Sequence, residues 1–254
     1  MLLLAAIISL AGVSWLSRDR PAGAQGETAM GIDANPSANT ATSLGEIQSC
    51  VAAAPGEGFA VDIYVKEVTE LLAWEVYVEY DAQLVEVADR DVDQFLGANA
   101  GSNVYDVSER LPDSDGLYRV AAADTSDPPT PDSGSGVLAR LTLRARAPGT
   151  GVLGIAFRDL NDDGTPDLGP FFRNVSGEPI DDTNGDTFFD GPSQNARVTV
   201  GGECPSSPDG AAAEEGSGGA RTMIWVIAGA SAAIVVAGLT GLTLRRLARR
   251  QMRA

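Results

Sequence analysis

The sequence predicts an all-β domain, built as a sandwich of short antiparallel strands and followed by one membrane-spanning α-helix. Three observations carry this. Apolar and polar residues alternate with period two over several stretches, Pro- and Gly-rich turns separate those stretches, and residues 223–244 are apolar and uncharged. Period two with one polar face marks half-buried strands. No long helical period appears before residue 223.

The first residues, LLLAAIISLAGVSWL, form an apolar run too short for a confident span. They suit a signal-peptide core, with Ala22-Gly23-Ala24 as the cleavage pattern, so residues 1–24 are read as a signal peptide. No Lys or Arg precedes the run, whereas Arg18 and Arg20 follow it. An uncleaved anchor is the alternative. Residues 25–43 are small and polar and read as a flexible linker.

The domain is placed at 44–204. Val61, Ile63 and Val65 alternate with Asp62, Tyr64 and Lys66; Leu72, Trp74, Val76 and Val78 alternate with Ala73, Glu75, Tyr77 and Glu79. Val137 to Ala145 alternates likewise, and shorter runs lie at 84–87, 117–122, 152–157 and 197–200. Turns are expected at Ser126-Asp127-Pro128-Pro129 and Ser133-Gly134-Ser135-Gly136. Trp74 falls on the apolar phase and belongs in the core. Tyr64 and Tyr77 fall on the opposite phase, where they serve either packing or a sugar- or partner-facing surface.

Two acidic segments share the pattern D-x-N-x-D-x-x-x-D, 23 residues apart. The first is Asp159, Asn161, Asp163 and Asp167; the second is Asp182, Asn184, Asp186 and Asp190. Positions 1, 3, 5 and 9 match the ligand spacing of an EF-hand-type loop, because Ca2+ takes six to eight hard oxygens and alternate side chains of a tight loop converge on it. Gly164 stands at the sixth position of the first copy, where a sharp turn is needed, and Thr187 replaces it in the second. The acidic residue of position 12 is missing: Pro170 and Ser193 stand there. Calcium is the expected cofactor, bound either weakly by each loop or in a shared site completed by carboxylates such as Asp181 or Glu178. Acidic loops 159–190 also suit plain Asx turns.

Residues 205–222 are rich in Gly, Ser, Ala and Pro and read as a stalk. Residues 223–244 have the length of a bilayer span, and Trp225 suits an interface. Arg245, Arg246, Arg249, Arg250 and Arg253 follow in the tail 245–254. The positive-inside rule places that tail in the cytoplasm and the domain outside a single-pass cell-membrane protein.

Charge and composition narrow the function. The chain carries 35 Asp+Glu against 18 Lys+Arg, and seven of the basic residues lie near its two ends. Such an acidic domain is a poor nucleic-acid ligand. No histidine is present, which removes the common general base and zinc ligand. Carboxylate pairs are unavoidable at this composition and single out no catalytic site, so no enzyme is expected. Cys50 and Cys204 bracket the domain, and in an exported chain an even pair reads as a disulfide.

The strand sequence resembles the cohesin domains of cellulosome scaffolds. The likeness rests on Phe59 to Val68 (FAVDIYVKEV), on Leu71 to Asp89 with its Tyr80-Asp81 and Leu84-Val85-Glu86-Val87, on Ser135 to Phe157, and on the closing Ala196 to Gly201. The chain has Leu143 where the family usually has an aromatic. The resemblance implies a nine-stranded jelly-roll sandwich, related to carbohydrate-binding modules, that binds without catalysis. A dockerin-like protein is the first expected partner. A polysaccharide is the second, although Trp74 is the single domain tryptophan available for a sugar platform. A structural envelope spacer is the third possibility.

Overall fold

The structure is a computed structural model that describes residues 26–205, except 163 and 165. The signal segment, most of the stalk, the span 223–244 and the arginine tail lie outside the described residues. Among the described residues, no helix is long and apolar enough to cross a membrane.

The domain is all-β, as expected. Its strands are β1 (Ala29–Asp33), β2 (Cys50–Ala53), β3 (Gly58–Glu79), β4 (Val85–Asp91), β5 (Val104–Asp106), β6 (Leu117–Asp124), β7 (Asp132–Ala145), β8 (Gly149–Ile155), β9 (Phe171–Asn174), β10 (Ser193–Gln194) and β11 (Ala196–Val200). A single 3₁₀ turn spans Pro36–Ala38.

β3 organises the sandwich. Its first half pairs with β1 on one edge and β7 on the other, and β4 extends that layer beyond β7. Its second half pairs with β6 on one edge and with β9 and then β8 on the other. β5 extends this layer beyond β6, and β8 leads on to β11 and β2. Inward residues of both halves, among them Val61, Ile63, Val65, Val76, Val78, Tyr118, Val120, Leu141 and Leu153, form one core. Burial of such side chains stabilises by about 1.5–3 kcal/mol each.

Two strands were expected where β3 runs unbroken. The reason lies in the apolar spacing, which slips from two to three at Val65, Val68 and Leu71. Register slips with it: Val65 faces Gly136, Val68 faces Gly134 and Leu71 faces Asp132. Each slip is a β-bulge that inserts one residue. Glu67 and Glu70 take these places in left-handed conformation, both at φ 53°. Their freed amides donate to hydroxyls of the facing strand, Glu67 N–H to Ser135 Oγ (3.1 Å) and Glu70 N–H to Ser133 Oγ (2.8 Å). Ser133-Gly134-Ser135-Gly136 is therefore part of β7, not the expected turn.

The expected linker 25–43 also contains structure, so the domain begins before residue 44. β1 pairs with β3 from Ala29–Lys66 to Asp33–Asp62, and Met30 and Ile32 are fully buried. Five residues (AMGID) with only Met30 and Ile32 as large apolar side chains carry little strand signal alone; pairing and burial impose the strand.

Behind β1, a buried polar network fastens residues 34–49 over the outer face of the first layer. Asp33 and Asp62 are both fully enclosed. Asn39 Nδ2 donates to Asp33 Oδ2 (2.7 Å) and Asp62 Oδ2 (3.0 Å). Arg140 closes a two-pronged pair on Asp62 at 2.7 and 2.9 Å. Asn35 and Gln48 amides complete Asp33. Gly136 lies under this segment: a Cβ there would stand 1.9 Å from the Ala41 carbonyl oxygen.

Cys50 and Cys204 form the expected disulfide, 154 residues apart in sequence. It joins edge strand β2 to the chain just past β11, beside which β2 runs parallel.

Candidate functional site

The covered outer face leaves the opposite one open. That face is made by β5, β6, the second half of β3 and β9, and its outward residues fall into rows fixed by register. Tyr105, Ala123, Ala73 and Arg173 make the first row. Ala121, Glu75 and Phe171 make the second, and Val107 joins them through its amide bond to the Ala121 carbonyl. Arg119 and Tyr77 make the third, and Leu117 and Glu79 the fourth.

Ala73 and Ala123 give this face a flat floor, with larger apolar groups beside it, while Ala121 is enclosed under Val107 and Ser108. Tyr105 is 62% exposed and Val107 38%. Charges on the face are matched locally. Arg119 pairs with Glu75 at 2.7 Å, and Arg158 with Glu79 at 2.6 Å. Arg173 lies over the Phe171 ring at 5.4 Å. Burial and the neighbouring Glu75 carboxylate raise the Tyr77 phenol above its usual pKa, so it presents a neutral hydroxyl. Apolar groups interleaved with satisfied ion pairs suit a protein-binding surface.

The two off-phase tyrosines of β3 part company. Tyr77 lies half-buried on this open face. Tyr64 is buried: its hydroxyl donates to Gln194 Oε1 (3.0 Å), and its ring fills the space beside Gly31 of β1. It offers no surface for sugar or partner, because it is 2% exposed, folded over Gly31 and tied to Gln194. Trp74 is in the core, as expected.

The acidic segments flank β9, a strand not anticipated between them. They are repeats in structure as well as sequence. The position-1 carboxylate takes the position-6 amide in both: Asp159 Oδ2 from Gly164 N–H (2.7 Å) and Asp182 Oδ2 from Thr187 N–H (3.0 Å). The position-9 carboxylate takes the position-2 amide, Asp167 from Leu160 (2.7 Å) and Asp190 from Thr183 (2.6 Å). It also takes the position-3 side-chain amide, from Asn161 at 3.4 Å and Asn184 at 3.0 Å. Gly164 and Thr187 both have positive φ. Phe189 anchors the second loop, fully buried with its ring 4.9 Å from Phe172. Asp163 lies outside the described residues. Among the described residues no group of three or more acidic or cysteine side chains converges to hold a metal ion. The donor types and spacing nevertheless fit a hard cation such as Ca2+.

Residues 46–158 match the family model of the cohesin domain. Cohesin domains are non-catalytic protein–protein interaction modules. No curated protein matches the chain. Among solved structures, the sixth cohesin of Acetivibrio cellulolyticus scaffoldin B, in complex with a Cel5 dockerin, is 16% identical. That match covers 69% of this chain and 99% of the cohesin, with a TM-score of 0.45. A non-cellulosomal cohesin from the archaeon Archaeoglobus fulgidus is 13% identical over 69% of this chain and 91% of its own, with a TM-score of 0.42. An OlpA cohesin from Clostridium thermocellum, in a type I cohesin–dockerin complex, is 12% identical over 69% of this chain and 99% of its own, with a TM-score of 0.46.

Proposed function

We propose that this protein is a membrane-tethered binding module that engages a dockerin-like protein through the open β5–β6–β3–β9 face. The observation that carries the reading is the asymmetry of the two outer faces. Residues 34–49 cover one, while the other exposes Tyr105 and Val107 beside Ala73 and Ala123. The cohesin match over 46–158 supports a protein partner over a sugar. Burial of Tyr64 removes one aromatic from any sugar platform. The test is affinity capture with the intact domain from proteins secreted by the same cells. A dockerin-bearing partner that is lost on Ala123→Arg supports the reading; capture unaffected by that change assigns the partner to another surface and sinks it.

The tether rests on the uncharged run 223–244 and the five arginines after it. Fractionation of cells should leave the chain in the membrane, with the domain open to added protease. Calcium binding rests on the shared loop geometry and hard-oxygen donors of Asp159, Asn161, Asp163 and Asp167 and of Asp182, Asn184, Asp186 and Asp190. In this role calcium rigidifies the loops on either side of β9, and so the β9 side of the open face.

A further inference from the structure

Asp132 opens β7 opposite Leu71, where β6 takes over from β7 beside β3. It is 5% exposed, and its Oδ2 is enclosed without a hydrogen-bond partner among the described residues. An ionised carboxylate in that position is unfavourable. The group beside it makes matters worse. Asp124, at the end of β6, is equally buried, and hydrogen bonds hold it charged. Its Oδ1 accepts the amides of Asn103 and Ser126, each at 2.9 Å. Its Oδ2 accepts the hydroxyls of Ser126 (2.9 Å) and Thr130 (2.6 Å). Four donors fill the lone pairs of one carboxylate, so none remains for a proton on Asp132.

Other elements around Asp132 supply no compensating charge. β3 contributes Leu71 and the exposed Glu70, loop 125–131 the exposed Asp127, and segment 97–103 no ionisable side chain. No arginine or lysine pairs with Asp132 among the described residues. Burial first, then the Asp124 charge, pushes its carboxyl up to about 6. Asp124 goes the other way: burial raises it, but its hydrogen bonds outweigh this and bring it to about 2.

Asp124 also helps to hold the start of β5, alongside the β5–β6 ladder and the Arg90–Asp106 pair (2.7 Å). Asn103 leads into β5, giving its amide to Asp124 and its carbonyl to the Thr125 amide and hydroxyl, both at 2.9 Å. β5 is a three-residue edge strand. Short edges with few buried contacts open first. It carries Tyr105, and Val107 follows it, both on the open face.

We propose that Asp132 is a proton-controlled latch on the β5 edge, an inference that rests on the open face being the partner surface. Protonated, Asp132 leaves Asp124 to hold Asn103 and loop 125–131. Ionised, it sets two carboxylates against each other in a buried corner and favours opening of the edge. The proton binds more tightly in the closed form, so closure is favoured at low pH and weakens as pH rises through about 6. With an open-state value of 3.8, linkage makes opening about tenfold more frequent near pH 7.5 than near pH 5.

Hydrogen exchange of the full chain tests this, followed over residues 100–109 and 124–131 at the two pH values with intrinsic rates divided out. The expected result is about tenfold weaker protection near pH 7.5, abolished in Asp132→Asn, which stays protected at both. Equal protection in the unsubstituted protein, or unchanged pH dependence in the variant, overturns the latch. If the variant does not fold, the carbon-13 titration of the Asp132 carboxyl in the unsubstituted protein decides: a midpoint near 6 supports the latch, and one at or below the usual 3.8 overturns it. No partner enters these readouts, so their failure is separate from failure of the partner-face reading.

Discussion

Thr187 holds φ +79° in the second acidic loop at the place where Gly164 holds +89° in the first. A β-branched residue rarely adopts this region, because its Cβ crowds the carbonyl oxygen. Both amides make the same bond, to the first carboxylate of their loop. The second loop therefore keeps the turn at the expense of strain. Thr187→Gly should relieve it and stabilise the domain by about 1 kcal/mol, the strain relief exceeding the added chain entropy. Thermal unfolding measures this, and Thr183→Gly, in the same loop, serves as a control that should not stabilise.

Calcium should act on these loops together with β9. Addition of Ca2+ should raise the unfolding temperature and release or absorb heat on titration, and a chelator should reverse both. Asp182→Asn combined with Asp190→Asn should remove the second loop's share, leaving the first. Titration without heat and without a change in unfolding temperature would refute calcium binding.

The Asp62–Arg140 pair gives a stability prediction. Asp62 is fully buried and Arg140 is its charged partner, with Asn39 on the other side. Arg140→Ala strands a buried carboxylate, which costs about 3–5 kcal/mol in fully enclosed pairs. The Arg140 side chain is 34% exposed, so water replaces part of it and about 2–3 kcal/mol is expected. Asn39→Ala should cost about 1–3 kcal/mol and loosen residues 34–49 from the sheet. Urea unfolding resolves both, and protease sensitivity near residue 40 reports the second.

Reduction should weaken the domain at its β2–β11 edge. The chain-entropy model assigns about 5 kcal/mol to closing a loop of this length, as an upper figure. Cys50→Ser with Cys204→Ser should lower stability by about 2–4 kcal/mol. β2 should lose exchange protection before the core strands do, because its other support is parallel pairing with β11. Equal melting of reduced and oxidised protein would contradict this.

Much of this architecture was legible because strand alternation is a local signal. Val61 to Val65, Trp74 to Val78 and Leu141 to Ala145 declare their inward faces in sequence, and the cysteine pair brackets the domain. The bulges were legible in part. The slip at Val65, Val68 and Leu71 is written in the sequence, but the hydroxyls that satisfy it, Ser133 and Ser135, sit more than sixty residues away and read locally as a turn. β1 reads locally as linker, and Tyr64 as either packing or surface, for one shared reason. Neither Ala29–Asp33 nor an off-phase tyrosine reveals its burial until β1 is laid along β3. Asp132 gave no signal at all, since one aspartate among 35 acidic residues is distinguished only by what surrounds it.

The open face gives the prediction that bears most directly on function. Ala73 and Ala123 form a floor whose neighbours are already satisfied: Glu75 by Arg119, and Glu79 by Arg158. A partner laid on this floor gains from close approach, and a large charged group there prevents it. Ala123→Arg places a guanidinium between Tyr105 and Ala73, its register neighbours in the first row. It faces outward, so the unfolding temperature should stay within the range of ordinary surface changes, about 0.5 kcal/mol. Partner capture should fall at least about a hundredfold, as for a blocked interface centre. Thr142→Arg, an outward change on β7 in the other layer, should leave capture intact. If both variants bind equally well, the partner uses a different surface; if both lose binding, the effect is on the fold. Loss confined to Ala123→Arg, with both variants melting like the parent, assigns binding to the β5–β6–β3–β9 face.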